Sequence, residues 1–123
     1  MMPNHPAFAD RLLNFSAEIL KLTTILSKSY VGRHIGNQLM RAATSAGANW
    51  EETCGAESRA DYAHKMQIVL KELRESTYWL KLLRKSDILM GGSGTVDGLL
   101  QEAIELTKII GKSVVTVKRG SNA

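Results

Sequence analysis

Two glutamates, Glu72 and Glu75, come nearest in this chain to the residue types and spacing of a catalytic pair. Three residues apart on a helix, they lie on the same side of it, where paired carboxylates can do general acid and base work. Half-buried carboxylates also bind an arginine across a helix interface, and Arg41 is available on a neighbouring segment. We expect this structural role, and an enzyme that uses Glu72 and Glu75 as its acid and base is the alternative.

Three other chemistries find little support in the residues. A carboxylate-bridged di-metal centre in a helical bundle takes a Glu-x-x-His pair from each of two helices. This chain offers one similar spacing, Asp61 to His64. Cys54 has no local histidine, and Ser45 has none at helical spacing to act as its base, so neither is predicted to be a nucleophile. We therefore expect no metal, no cofactor and no enzymatic activity.

A row of polar side chains runs along one edge of the segment from residue 38 to residue 52. Its members recur at helical spacing and are Gln38, Arg41, Ser45, Asn49 and Glu52. A purely solvated edge more usually carries flexible Lys and Glu, whereas this composition beside alanine-rich turns indicates a fixed polar network between helices. We predict that Glu72 and Glu75 complete the network and that Arg41 bridges to a carboxylate within it.

Four amphipathic segments position these side chains. The only two prolines of the 123 residues, Pro3 and Pro6, precede the first segment, so the rest of the chain is free to form long helices. Apolar residues then recur in alternating steps of four and three, which is the helical period. The pattern predicts an all-α, up-and-down four-helix bundle. It forms a single domain over residues 1–123, with helices at about 7–29, 33–57, 58–86 and 95–118.

Composition narrows the class of protein. A content of 44% hydrophobic and 23% charged residues is ordinary for a soluble domain, and no segment approaches the length of a membrane span. The single cysteine, Cys54, excludes an internal disulfide and fits a reducing compartment, so we expect a cytoplasmic protein. The net charge of +4 permits an acidic partner such as nucleic acid without requiring one.

Two of the predicted helices carry more apolar surface than one bundle core needs. In the third helix the additional residues are Ile68, Trp79 and Leu82. In the fourth helix they are Leu100, Ile104 and Val114. Because a helix that is apolar on two faces is buried on two sides, we expect a homo-oligomer with the three residues of the third helix in its interface. A broad single core is the alternative.

A basic stripe that includes an aromatic residue follows another face of the third helix. Its members recur in steps of three and four and are Lys71, Arg74, Tyr78, Lys81 and Lys85. Cations at this spacing can follow a phosphate backbone while a tyrosine stacks on a base. The same pattern is also typical of a plain solvated helix face, which is the alternative to a surface that binds RNA or DNA.

The two central helices carry a longer signature. It reads Gln38…Arg41-Ala-Ala…Ser45-x-x-x-Asn49-x-x-Glu52, followed by Asp61-Tyr62-x-x-Lys65-x-x-Ile68-x-x-Lys71-Glu72-x-x-Glu75-x-x-x-Trp79-Leu80-x-x-Leu83. With this signature the chain resembles the four-helix-bundle family of the 23S rRNA intervening-sequence proteins, over roughly residues 8 to 117. Two positions depart from the family pattern: Gly47 stands where members usually have Pro, and Thr53 stands where they have Gly.

The resemblance implies an up-and-down bundle, a ring-shaped homopentamer and no known enzymatic activity. A more distant resemblance, to the accessory protein of diversity-generating retroelements, implies a basic pentamer that works with a reverse transcriptase and nucleic acid. We therefore expect a cytoplasmic, non-enzymatic, homo-oligomeric scaffold or adaptor. Its expected ligand is RNA or DNA, and its expected partner is a reverse transcriptase or another protein. An adaptor that binds only proteins is the alternative.

Overall fold

Four helices account for nearly all of residues 5–122, the part of the chain that this computed structural model describes. They are α1, His5–Leu26; α2, Tyr30–Cys54; α3, Arg59–Ser86; and α4, Ser93–Asn122. Short connections join them, and such connections place consecutive helices antiparallel. The described residues include no strand, and none of their helices is long and apolar enough to cross a membrane. The prediction of an all-α four-helix bundle is confirmed.

One continuous apolar core fills the bundle. α1 contributes an unbroken seam of buried residues, which are Phe8, Leu12, Phe15, Ile19, Leu22 and Leu26. Small alanines on α2 let the neighbouring helices approach closely. Trp50 near the end of α2 is fully buried, and its ring centroid lies 4.9 Å from that of Phe8. The Trp50 Nε1 group donates a hydrogen bond to the carbonyl oxygen of His5 at 3.3 Å, which ties the start of α1 to α2.

The turn between α1 and α2 is tighter than the sequence pattern predicted. Ser29 caps α2 by accepting a hydrogen bond from the Gly32 N–H group at 3.0 Å. α1 therefore ends at Leu26 and not near residue 29, and α2 begins at Tyr30 and not near residue 33. A Cβ atom at position 32 would lie 2.1 Å from the carbonyl oxygen of Leu26, so this close approach of the two helices requires glycine.

Capping groups also set the other helix ends. α2 ends at Cys54, before the predicted residue 57, because the Gly55 N–H group bonds to a carbonyl oxygen of the last turn. Ser58 accepts a hydrogen bond from the Asp61 N–H group, so α3 begins one residue later, at Arg59. α4 spans Ser93–Asn122 and is longer than the predicted range of 95–118 at both ends.

The apolar surface of α4 lies mostly inside the chain's own core. Leu100 is 1% exposed and Val114 is 5% exposed, whereas Ile104 is half-buried at the edge of the core. The expectation that these residues form a second stripe for another subunit is therefore wrong for Leu100 and Val114. Because the consecutive residues Leu99 and Leu100 are both buried, the inward face of α4 is broader than one a/d seam.

Candidate nucleic-acid interface

A cluster of charged side chains joins α2 to α3. Nη1 of Arg41 donates to Oε2 of Glu72 at 3.2 Å, and Nη2 of Arg41 donates to Oε2 of Glu75. Glu72 is only 6% exposed, while the Arg41 side chain is 49% exposed. Nε1 of Trp79 donates to the same Oε2 of Glu75 at 3.1 Å. Glu75 therefore holds both the guanidinium group and the indole ring.

The other members of the predicted polar network do not join this cluster. Asn49 donates to the carbonyl oxygen of Ser45 at 2.9 Å, one turn back along α2. Gln38 is half-buried and Glu52 is exposed, and neither side chain forms an ion pair or hydrogen bond with any residue between 5 and 122. Glu52 shares a helix edge with Arg41 but lies about 16 Å further along the axis, out of reach of the guanidinium group.

The geometry of the cluster favours a structural role for the two carboxylates. The hydrogen bond from Arg41 holds the pKa of Glu75 below its usual value of 4.5, although partial burial opposes this shift. A general acid must keep its proton at the working pH, which a carboxyl group with a lowered pKa does not. Glu72 binds the same guanidinium group from a buried position. Both carboxylates are therefore engaged by Arg41.

Replacement of Arg41 by alanine should lower the melting temperature, because Glu72 would remain buried without its partner. We expect a decrease on the order of 5 °C, since solvent screens part of an interaction with a half-exposed arginine. Arg41→Lys should recover only part of the loss, because an ammonium group lacks the planar fork that binds two carboxylates. Scanning calorimetry measures both variants.

The control for this experiment is Lys21→Ala, which removes the cation of an exposed pair with Glu18. Its melting temperature should equal that of the wild type, because exposed pairs contribute little. If the Arg41→Ala and Lys21→Ala variants had the same melting temperature, the structural role of the cluster would be contradicted.

Protonation of Glu75 should weaken the folded state. Because the pKa of Glu75 is lower in the folded chain than in the unfolded chain, the ionised carboxylate stabilises the fold above the unfolded pKa. This contribution is lost as the pH falls through the lower, folded value. Glu75→Gln should therefore lose less stability than the wild type between about pH 5 and about pH 3. Urea denaturation across this range measures the difference, and two parallel profiles would contradict the assignment.

The three residues of the predicted oligomer interface form a half-buried surface on α3. Ile68, Trp79 and Leu82, here called the α3 ridge, are each partly accessible in the single chain. The Trp79 ring lies between Tyr78 and His34, with centroid distances of 5.0 Å and 6.4 Å. Part of this apolar surface is therefore free to contact another protein.

An apolar groove lies between α1 and α2 and is here called the α1/α2 groove. It was not predicted from the sequence. Its volume is about 490 Å³, and small residues such as Ala17 and Gly47 line it. Leu13 and Leu20 on its wall are 66% and 44% exposed. Their spacing of seven residues on the outer side of α1, away from the core seam, is the sequence signal that could have revealed it.

The predicted basic stripe is exposed, and all of its members except Lys85 line a groove between α3 and α4. The exposed residues are Lys71, Arg74, Tyr78, Lys81 and Lys85. Two clefts lie along this groove, with volumes of about 410 Å³ and 350 Å³, and Arg74 lines both. α4 contributes Lys108 to the first cleft and Lys118 to the second. We call the five stripe residues and these two lysines the basic face.

Two acidic side chains of α4 lie on the side away from the basic face, whereas a third, Asp97, pairs with Arg84 of α3 at 3.9 Å. Glu102 and Glu105 both bind Arg11 of α1, at 2.7 Å and 3.1 Å. Every ion pair formed within the described part of the chain uses a cation that is not in the basic face. Positive charge therefore accumulates along the α3/α4 groove.

The remaining candidates for metal binding or nucleophilic catalysis are engaged in an ion pair or have lowered reactivity. Asp61 forms an ion pair with Lys65 at 3.1 Å. Residues 5–122 contain no group of three His, Cys, Asp or Glu side chains placed to hold a metal ion. Partial burial and the nearby Glu51 raise the pKa of the Cys54 thiol, which lowers its thiolate fraction and hence its reactivity.

The helix order, the short connections and the polar cluster between α2 and α3 define a small four-helix bundle. A family model described as 23S rRNA-intervening sequence protein matches residues 8–112. The chain belongs to this family, which confirms the resemblance seen in its sequence.

A solved structure is similar to this chain over nearly its whole length. It is the crystal structure of a protein with unknown function from the S23 ribosomal protein family of Bacteroides thetaiotaomicron. The two sequences are 30% identical, the match covers 89% of this chain and 96% of the other, and the TM-score is 0.78. No curated protein matches the sequence.

Proposed function

We propose that this protein is a non-enzymatic, homo-oligomeric scaffold that binds RNA or DNA through its basic face. The observation that carries the proposal is the row of exposed cations around Tyr78, none of which forms an ion pair with a described residue. Contacts between such cations and phosphates supply most of the affinity of proteins that bind nucleic acid without sequence preference. The family description, which refers to an intervening sequence of 23S rRNA, agrees with a nucleic-acid ligand.

The proposed assembly is a ring in which the α3 ridge of one subunit packs into the α1/α2 groove of the next. Two different surfaces on one chain make a head-to-tail contact, and repetition of such a contact can close a ring. The groove exposes the apolar side chains of Leu13 and Leu20, and the ridge offers half-buried apolar side chains in return. The family resemblance, which implies a ring-shaped homopentamer, favours a second copy as the occupant and gives five as the number of copies.

A ring would present the basic face once on every subunit. Weak phosphate contacts on neighbouring subunits then add by avidity, because one strand can engage several faces at the same time. Such a scaffold suits a protein partner that itself acts on nucleic acid, such as a reverse transcriptase.

Two other functions receive less support. An adaptor that binds only proteins is favoured by the exposed Leu13 and Leu20 in the α1/α2 groove, but it leaves the basic face without a role. An enzyme that uses Glu72 and Glu75 is disfavoured, because Arg41 binds both carboxylates.

Fluorescence anisotropy with labelled single-stranded and duplex RNA and DNA tests the proposal. At about 50 mM salt we expect binding that is largely independent of sequence. Its affinity should fall with a log–log salt slope of about −0.7 per phosphate contact on a single strand. Failure to bind any of the four nucleic acids would overturn the proposal and leave the protein-only adaptor.

A further inference from the structure

We propose that the α3/α4 groove selects single-stranded over double-stranded nucleic acid, with Tyr78 as the platform on which an unpaired base stacks. Arg74, Lys81 and Lys108 are the phosphate contacts around it. This inference rests on the proposed function, because it specifies which form of nucleic acid the basic face accepts.

Tyr78 is placed to stack on a base. Its side chain is 57% exposed at the mouth of the larger cleft between α3 and α4. Its ring forms an edge-to-face contact with the Trp79 ring, with a centroid distance of 5.0 Å and an interplanar angle of 75°, and this contact helps to fix its orientation. An unpaired base can offer a free face to such a ring, whereas a base inside a duplex is covered by its neighbours on both sides.

The rest of the cleft offers apolar contact more than sequence readout. Ile104 of α4 is half-buried and forms part of its wall. The hydroxyl groups of Thr77 and Thr107 also line the cleft, but each donates its proton to a carbonyl oxygen of its own helix. The side-chain donors that remain are the cations, which we expect to bind phosphates, and the Tyr78 hydroxyl group, so the site should tolerate any base that stacks.

Cations lie on both sides of the cleft and continue beyond it. Arg74 and Lys81 are seven residues apart on α3, about 10 Å along the axis, and Lys108 faces them from α4. Arg74 also lines the second cleft, together with Lys71 and Lys118. A flexible single strand can follow the two clefts in turn and direct bases inward, whereas a stiff duplex reaches only the outer cations.

Competition anisotropy tests this inference on the full-length protein. A labelled single-stranded oligonucleotide is displaced by the same unlabelled strand or by its duplex, at about 100 mM salt. We expect the unlabelled single strand to displace half of the label at a concentration at least about tenfold below the one that the duplex requires. Tyr78→Leu, which keeps an apolar side chain but removes the ring, should weaken single-strand binding by about 5- to 150-fold. Tyr78→Phe should retain it, and duplex binding should change little in either variant.

A matched pair of variants on α4 tests whether Lys108, the lysine that α4 contributes to the larger cleft, contacts a phosphate. Lys108→Ala should weaken binding, whereas Lys112→Ala, one turn away and outside both clefts, should not. Equal competition by duplex, or unchanged single-strand binding by a folded Tyr78→Leu variant, would overturn the inference and leave the proposed function standing. Failure of the wild type to bind either competitor would instead overturn the proposed function.

Discussion

Charge reversal at both Lys81 and Lys85 should abolish nucleic-acid binding and leave the fold intact. Both lysines are exposed on α3, and neither forms an ion pair with a described residue, so their loss removes no internal ion pair. Lys85 lies in the last turn of α3, where a negative charge costs a small amount of stability. Two phosphate contacts are lost and two repulsive charges appear, which should weaken binding by about 100-fold or more at about 50 mM salt. Anisotropy measures the affinity, and circular dichroism checks that helix content is unchanged and that the melting temperature falls by no more than a few degrees.

The matched control for this variant is charge reversal at Lys21 and Lys28, which are exposed on the α1 side of the molecule. It changes the net charge by the same amount but leaves the basic face untouched. Equal loss of binding in the two double variants would show that total charge, and not the α3/α4 groove, governs affinity. That result would contradict the location of the site.

Glutamate at Leu13 or at Ile68 should break the ring into monomers. Leu13 lies in the α1/α2 groove and Ile68 in the α3 ridge, so each change places an unpaired charge in the proposed contact. Neither side chain is fully buried in the single chain, so the monomers should stay folded. Light scattering at micromolar concentration should give the mass of one chain, 13.5 kDa, for each variant. Tyr30→Glu, at an exposed position outside both surfaces, should leave the assembly unchanged.

A mixture of the two variants separates a head-to-tail contact from a symmetric one. The intact groove of the Ile68→Glu chain can accept the intact ridge of the Leu13→Glu chain, so an equimolar mixture should form dimers. If the contact were symmetric and made by the same patch on both chains, the mixture would form no dimers. A wild type that is monomeric at micromolar concentration, or a mixture that stays monomeric, would contradict the proposed ring contact.

The fold follows from local features that a single sequence displays. The α1 seam from Phe8 to Leu26 keeps the helical period without interruption, and no proline follows Pro6, so helices were predictable without tertiary information. Helix ends were less predictable, because they depend on which residue caps the turn. Ser29 takes that role for α2, and its position moves both adjacent ends.

Features that depend on how helices pack were predicted less well. A helical wheel correctly aligns Glu52 with Arg41 on one edge but contains no axial distance, so it could not show that Glu52 lies out of reach. Leu100 is buried in the core because of the way α4 is rotated about its axis. The packing of α3 against α4 places Lys108 and Arg74 in the same cleft. The ion pair between Arg41 and Glu75 was predictable because opposite charges stood on facing edges of adjacent helices.

Sedimentation of the protein with a labelled single-stranded oligonucleotide tests the central claim most directly, because it reports assembly and binding together. The account predicts that at low salt the label sediments with a particle of several 13.5 kDa chains. At about 0.5 M salt the label should return to the rate of the free strand. A label that sediments as free strand at low salt, beside a protein of single-chain mass, would contradict a nucleic-acid-binding scaffold.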